Sequence, residues 1–177
     1  MATALITVTR ISLPNFDGQH TKFPAPGKYS FNANLDRVTA DQLSRKGWNI
    51  SYYAPEADDD VKSGTYVFGK TNIDDLPGDV YFSLKCKIQY RKANGDPLNV
   101  RIYQTIDDDN RPMLLNEETI KGLQHTRFKK IDLKIATDSR GNAYVNEAVF
   151  NISTKPLAYK SAFSDMYDMS EFNEVND

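Results

Sequence analysis

The run Tyr81-Phe82-Ser83-Leu84-Lys85-Cys86-Lys87-Ile88-Gln89-Tyr90-Arg91-Lys92, followed closely by Asn94-Gly95, decides the fold class. Phe82, Leu84, Cys86, Ile88 and Tyr90 fall on one side of this run. Tyr81, Ser83, Lys85, Lys87, Gln89 and Arg91 fall on the other. A period of two is the signature of a half-buried β-strand. Asn-Gly is a strong hairpin turn, because both residues accept the backbone conformation that a two-residue connection needs. Residues 98–106 are therefore expected to return as the next strand. Leu98, Val100 and Ile102 would face inward, with Asn99, Arg101, Tyr103 and Thr105 outward.

Working outward, the same alternation recurs. Residues 29–35 place Tyr29, Phe31, Ala33 and Leu35 on one face and Ser30, Asn32 and Asn34 on the other. Residues 6–11 read as a first strand ended by Pro14. Residues 48–53, 65–68, 131–135 and 143–152 supply further strands. A short helix is expected after Thr39, with Gln42 completing a capping box, Arg45 and Lys46 in its last turn and Gly47 closing it. Asn116 should cap a second short helix through Leu123. Residues 54–64, 71–79 and 107–110 read as polar loops. The pattern predicts a mostly β protein, an OB-like five-stranded antiparallel barrel with one or two short helices and long loops.

The chain has 177 residues, 22 Lys plus Arg and 24 Asp plus Glu, a net charge of −2. That average conceals a division. All 22 basic residues lie at or before Lys160, against 19 acidic ones, so residues 1–160 carry +3. Residues 161–177 hold five acidic residues and no basic one, so they carry −5. The reading is a domain at 1–160 and an acidic, flexible tail at 161–177. Phe163, Asp165, Asp168, Glu171 and Phe172 interleave aromatics with carboxylates in that tail. Two readings stand side by side: a solvated terminus, or a short motif whose aromatics enter a basic, apolar pocket on a partner. A single cysteine cannot form an internal disulfide. The N-terminus has no secretory pattern and no window approaches a membrane-spanning length. A cytoplasmic protein without membrane association is expected.

Catalytic signals are sparse. His20 and His125 sit in polar turns without metal-ligand spacing. Cys86 faces the apolar side of its strand and reads as a packed core residue. The acidic runs at 58–60 and 107–109 fit no calcium loop and read as solvated acids. No enzyme activity, cofactor or metal is expected. The outward strand faces say more. Lys85, Lys87 and Arg91 share one face with Tyr81; Arg101 and Tyr103 would stand across the hairpin, and Lys134 adds charge on a later strand. Cations that track phosphates, interleaved with aromatics on which bases stack, are what single-strand binding requires. The strand pattern alone fits an ordinary solvated sheet face slightly better. The acidic tail and the barrel pattern favour the nucleic-acid reading. Trp48 reads as packing, while Tyr53, Tyr66 and Phe68, which flank the 54–64 loop, could belong to core or surface.

Phe23-Pro24 through Gly27-Lys28-Tyr29-Ser30-Phe31-Asn32-Ala33, then Leu35-Asp36 and the string Gly47-Trp48-Asn49-Ile50, resemble phage-encoded single-stranded-DNA-binding proteins of the OB-fold type. The strand at 80–88, Leu115-Asn116-Glu117-Glu118-Thr119-Ile120, Ile131-Asp132-Leu133 and Ala143-Tyr144-Val145 extend the resemblance across most of residues 5–152 through spaced matches. It implies a non-catalytic barrel that binds single-stranded DNA in replication or recombination of a phage genome, in the bacterial host cytoplasm. It also implies an acidic tail that contacts replication or recombination proteins. The tail departs from bacterial single-strand-binding proteins by ending Val175-Asn176-Asp177. The expectation is thus sequence-independent binding. Lys85, Lys87, Arg91, Arg101 and Lys134 would meet phosphates and Tyr81, Tyr103 and Tyr53 would meet bases, with homo-oligomerisation left open. The alternative is a β-sandwich structural or assembly protein with no nucleic-acid role. Deleting residues 161–177 should leave single-strand affinity equal or higher, measured by fluorescence anisotropy with labelled oligo-dT, because the tail repels phosphate; a large loss would overturn this reading of the tail.

Overall fold

The computed structural model describes residues 2–19, 28–107 and 111–153. In chain order they form β1 (Thr3–Val8), β2 (Ile11–Asn15), β3 (Lys28–Leu35), α1 (Arg37–Arg45), β4 (Ile50–Tyr53), β5 (Ser63–Tyr66), β6 (Tyr81–Gln89), β7 (Arg101–Ile106), β8 (Met113–Leu115), a 3-10 helix (Thr119–Leu123), β9 (Phe128–Thr137) and β10 (Ala143–Ile152). The tail residues Phe163, Asp165, Asp168, Glu171 and Phe172 lie outside the described residues. Among the described residues no helix is long and apolar enough to cross a membrane.

The protein is mostly β, as its alternation predicts. The expected five-stranded antiparallel barrel is corrected: ten strands form one mixed sheet that is not closed. Its main path runs β1-β9-β10-β6-β3-β2. Two strands divide their edges. β6 pairs along its length with β3, while its other edge meets β4 over residues 81–84 and β10 at residues 86–87. β10 pairs along its length with β9, while its other edge meets β6 at residues 143–144 and β7 over 147–152. Both contacts on this second edge of β10 are parallel. They were invisible to a pattern that marks which face is buried but not which strand lies alongside.

The hairpin expectation is corrected at the same place. The Asn94-Gly95 turn forms, with Gly95 at φ +91° and the Lys92 amide donating to the Asp96 carbonyl at 2.8 Å. Pairing is confined to the single bridge Arg91–Pro97 and the Leu98 amide, which donates to Tyr90 O at 2.8 Å. It ends there because the next amide that would continue the ladder, that of Val100, turns back to Leu98 O at 3.0 Å. The chain then leaves β6 and enters as β7 beside β10.

The expected first strand at 6–11 is in fact two strands, broken at Thr9-Arg10. Pro14 lies inside β2, which is tolerated because β2 ends the sheet. The register shifts between Ser12 and Asn15, and Leu13 takes φ +48°. The helix begins one turn earlier than its capping pattern predicts, because the Asp36 side chain accepts the Thr39 amide at 2.7 Å. The second helix forms as a short 3-10 helix, and the Asn116 side chain accepts the Glu118 and Thr119 amides.

The core gathers the inward residues of both parts of the sheet. Phe16, Phe31 and Phe150 are fully buried and touch one another, with ring centroids 5.6–5.7 Å apart. Phe31 on β3 meets Phe150 on β10 although two strand steps separate their strands, so the sheet coils back on its own inner face. The end of α1 is fastened to this sheet. Gly47, at φ +88°, lets the Gly47 amide reach Ser44 O and the Trp48 amide reach Leu43 O, the double bond of a Schellman closure. Trp48 is buried. Asn49 donates its amide to Gly141 O at 2.9 Å and its side chain to Arg140 O at 2.9 Å. A Cβ on Gly141 would come within 2.4 Å of Gly47 O, at φ +84°. Gly47→Ala should therefore cost only the left-handed strain of about 1–2 kcal/mol, since nothing lies within 4 Å. Gly141→Ala should cost more in urea denaturation; equal losses would contradict the described clasp.

Candidate nucleic-acid interface

β6 organises the candidate surface. Its inward residues Phe82, Leu84, Cys86 and Ile88 are buried, leaving Tyr81, Ser83, Lys85, Lys87 and Gln89 on the outer face. Pairing then sets their neighbours. Tyr53 stands opposite Tyr81 and Ser51 opposite Ser83 on β4. Asn32 stands opposite Lys85 on β3. Lys87 lies between Ser30 of β3 and Tyr144 of β10. Directly opposed residues in an antiparallel pair have Cβ atoms about 4.5–5.5 Å apart, so Tyr53 and Tyr81 form one aromatic ledge. Both are well exposed, at 48% and 57%.

This ledge borders a cleft of about 630 Å³. Tyr53 and Tyr81 line one side; Ser51, Ser83, Asn32 and Asn34 supply polar atoms, and Leu13 of the β2 bulge the far wall. Lys85 is exposed and has no ion pair among the described residues. Lys87 Nζ lies 5.7 Å from the Tyr144 ring centroid, a cation–π separation. The charge of Lys87 also contributes to holding the Asp138 carboxyl below its ordinary value. The largest cause there is the hydrogen bond from the Asn142 amide; desolvation opposes it.

The predicted residues divide into three groups. Tyr53, Tyr81, Lys85 and Lys87 come together on one outer face. Arg101, Tyr103 and Lys134 come together elsewhere, across β7, β10 and β9. Glu147 stands opposite both Arg101 and Lys134, and Val149 opposite Tyr103. They do not stand across a hairpin from Lys85 and Lys87, since β7 joins β10 instead of β6. Arg91 is drawn away from the surface group: its Nε donates to Glu117 Oε1 at 2.7 Å and its Nη1 to Gly95 O at 3.3 Å. Tyr144 was missed. Its signal was present, because buried Ala143 and Val145 on either side force it outward.

Other chemistry-bearing residues resolve simply. Asp58, Asp59 and Asp60 are exposed. Among the described residues no group of three His, Cys, Asp or Glu could hold a metal ion. Tyr66 is buried and bonds Asp41, while Phe68 is exposed under the Arg45 guanidinium, 3.9 Å from its centroid. Cys86 is fully buried, and burial pushes its thiol up to about 12. Comparison with protein-family models, curated proteins and solved structures finds no match.

A thiol raised that far stays protonated through the neutral range, and the thiolate is the reactive form. Folded protein should react negligibly with a disulfide reagent at pH 8, while protein in guanidinium should release one equivalent of the coloured thiolate. Rapid reaction of the folded protein would contradict the burial of Cys86.

Proposed function

We propose that the protein binds single-stranded DNA, without sequence preference and without catalysis, on the outer face of β3, β4 and β6. The observation that carries this reading is the exposed cross-strand pair Tyr53–Tyr81 along a polar cleft, with unpaired Lys85 on the same face. Such a surface offers what a flexible polyanion with unstacked bases requires. Aromatic rings give each base a face to stack on. Lys85 and Lys87, farther along the outer face of the strand that carries Tyr81, meet the phosphates. Ser and Asn side chains accept and donate hydrogen bonds without enforcing one base. Tyr144 beside Lys87 extends the aromatic line onto β10.

We read the open sheet as one coiled in the manner of an OB-type barrel without closing. What supports this is its coiling onto the Phe16–Phe31–Phe150 centre. With the resemblance noted above, the proposed setting is replication or recombination of phage DNA in the host cytoplasm, with the acidic tail engaging replication or recombination proteins. Arg101, Tyr103 and Lys134 are assigned a secondary part, since Glu147 sits between the two cations.

Titration with labelled oligo-dT tests the reading. Affinity should fall as salt rises, because neutralised phosphates release counterions. Tyr53→Ala and Tyr81→Ala should each cost about 1–3 kcal/mol of binding, with little change in melting temperature because both rings are exposed. Duplex DNA should bind weakly. Failure of the wild-type protein to bind any single strand at low salt would sink the proposal. A second reading, an assembly protein with no nucleic-acid role, draws on Leu5 and Leu114, which are 80% and 59% exposed; it requires a stable oligomer in sedimentation together with no oligonucleotide binding.

A further inference from the structure

Three clefts follow one another along the surface that carries Tyr53 and Tyr81, and their charges differ. The cleft of about 370 Å³ on the α1 side shares Leu35, Tyr81 and Phe82 with the central one. It is lined by Asp36, Asp74 and Asp79, and its one cation, Arg37, is bound to Asp74 at 2.8 Å. Among the described residues the central cleft has no charged lining residue. On the other side, a third cleft of about 370 Å³ shares Asn34 with the central one; Arg10 and Arg127 line it, and no acidic residue does so among the described residues.

We propose that a single strand held at Tyr53 and Tyr81 continues past Asn34 into this third cleft, where Arg10 and Arg127 bind its phosphates. The inference rests on the single-strand-binding reading and gives the bound strand a path. Of the two clefts that adjoin the tyrosine cleft, the acidic one repels a polyanion and the arginine one attracts it.

The two arginines are built for this use. Arg10 sits at the break between β1 and β2, where its carbonyl accepts the Asn34 amide at 3.1 Å. Arg127 precedes β9, and its carbonyl accepts the Ser153 amide at 3.0 Å. Both backbones are thus fixed, while both side chains are exposed and have no ion pair among the described residues. A free guanidinium on a fixed backbone suits phosphate, whose oxygens it can meet two at a time. The polar floor is already occupied: the Gln124 side chain accepts from the Phe16 amide at 2.6 Å and donates to Pro14 O at 2.7 Å. Gln124 therefore has no part in binding beyond shaping the cleft.

The path predicts a dependence on strand length. Single-strand site sizes run from about 4 to about 16 nucleotides. A strand of about 4 nucleotides occupies the tyrosine cleft alone, whereas one of about 16 also reaches the arginines. In the full-length protein, the double variant Arg10→Gln/Arg127→Gln should bind the longer oligo-dT about tenfold more weakly. Its slope of log affinity against log salt should fall by about 1.4, since each phosphate contact on a single strand contributes about 0.7. Affinity for the short oligo-dT should not change. An equal loss with both lengths, or no loss with either, overturns the path while leaving the tyrosine cleft in place. Wild-type protein that binds neither length overturns the parent reading instead.

Discussion

One short contact holds the sheet together. Cys86 and Lys87 of β6 pair with Ala143 and Tyr144 of β10, in parallel, and among the described residues this is the one strand pairing that joins two groups of five strands. One group is β2, β3, β6, β4 and β5; the other is β1, β9, β10, β7 and β8. Central strands must satisfy the backbone groups on both edges, because a buried unpaired amide or carbonyl costs as much as a lost hydrogen bond. β6 and β10 each meet that requirement with two partners in succession on one edge. A strand that changes partner along its length cannot remain flat, since each new neighbour adds its own twist. The coiling that brings Phe31 onto Phe150 follows from this division. The four residues at the contact express both faces: Cys86 and Ala143 are buried inside, while Lys87 and Tyr144 face out.

The same contact positions the candidate surface. β6 surrenders its second edge to β10 only at residues 86–87, which leaves residues 81–84 free to pair with β4. That pairing sets Tyr53 beside Tyr81. The β2 bulge then supplies the opposite wall, through a leucine held at φ +48°. A left-handed leucine is costly outside glycine, so the surrounding structure must over-determine it. Here the break at Thr9-Arg10 and the register shift before Asn15 bracket it. Exposed at 75%, Leu13 gains little by burial in the free protein. It is a wall for something else to lie against under the proposed reading.

Much of this was legible in the sequence, and the failures share one cause. The alternating runs of β3, β6, β9 and β10 are read correctly because their inner faces are buried and period two reports burial. Gly47-Trp48-Asn49 stood out as a string, and its three residues have three separate tasks: a left-handed closure, a buried ring and a clasp on the 138–142 turn. Strand partners were not legible. The Asn94-Gly95 turn forms, but the pairing it predicts stops after Leu98, and Arg101 and Tyr103 lie in another part of the sheet. Tyr53, Tyr81, Lys85 and Lys87 survived as a group because one strand and its direct neighbour suffice to unite them. Arg91 shares their parity yet bonds Glu117, a residue 26 positions away that no local pattern could bring near it.

The distribution of charge sharpens the functional argument. A body with a formal charge of +3 is too weakly basic to hold a polyanion by charge alone. Its cations are not spread evenly either. Arg37 is spent on Asp74 and Arg91 on Glu117, and Glu147 stands between Arg101 and Lys134. Among the described residues, the exposed cations without an ion pair on this surface and in the adjoining cleft, Lys85, Arg10 and Arg127, are therefore few. Under the proposed reading, the electrostatic contribution would orient the strand, by opposing the acidic cleft and favouring the arginine cleft, more than supply affinity. On that reading the larger share of the energy would fall to stacking on Tyr53, Tyr81 and Tyr144. Stacking does not depend on which base is present, which is why a surface with so little charge suits a binder without sequence preference.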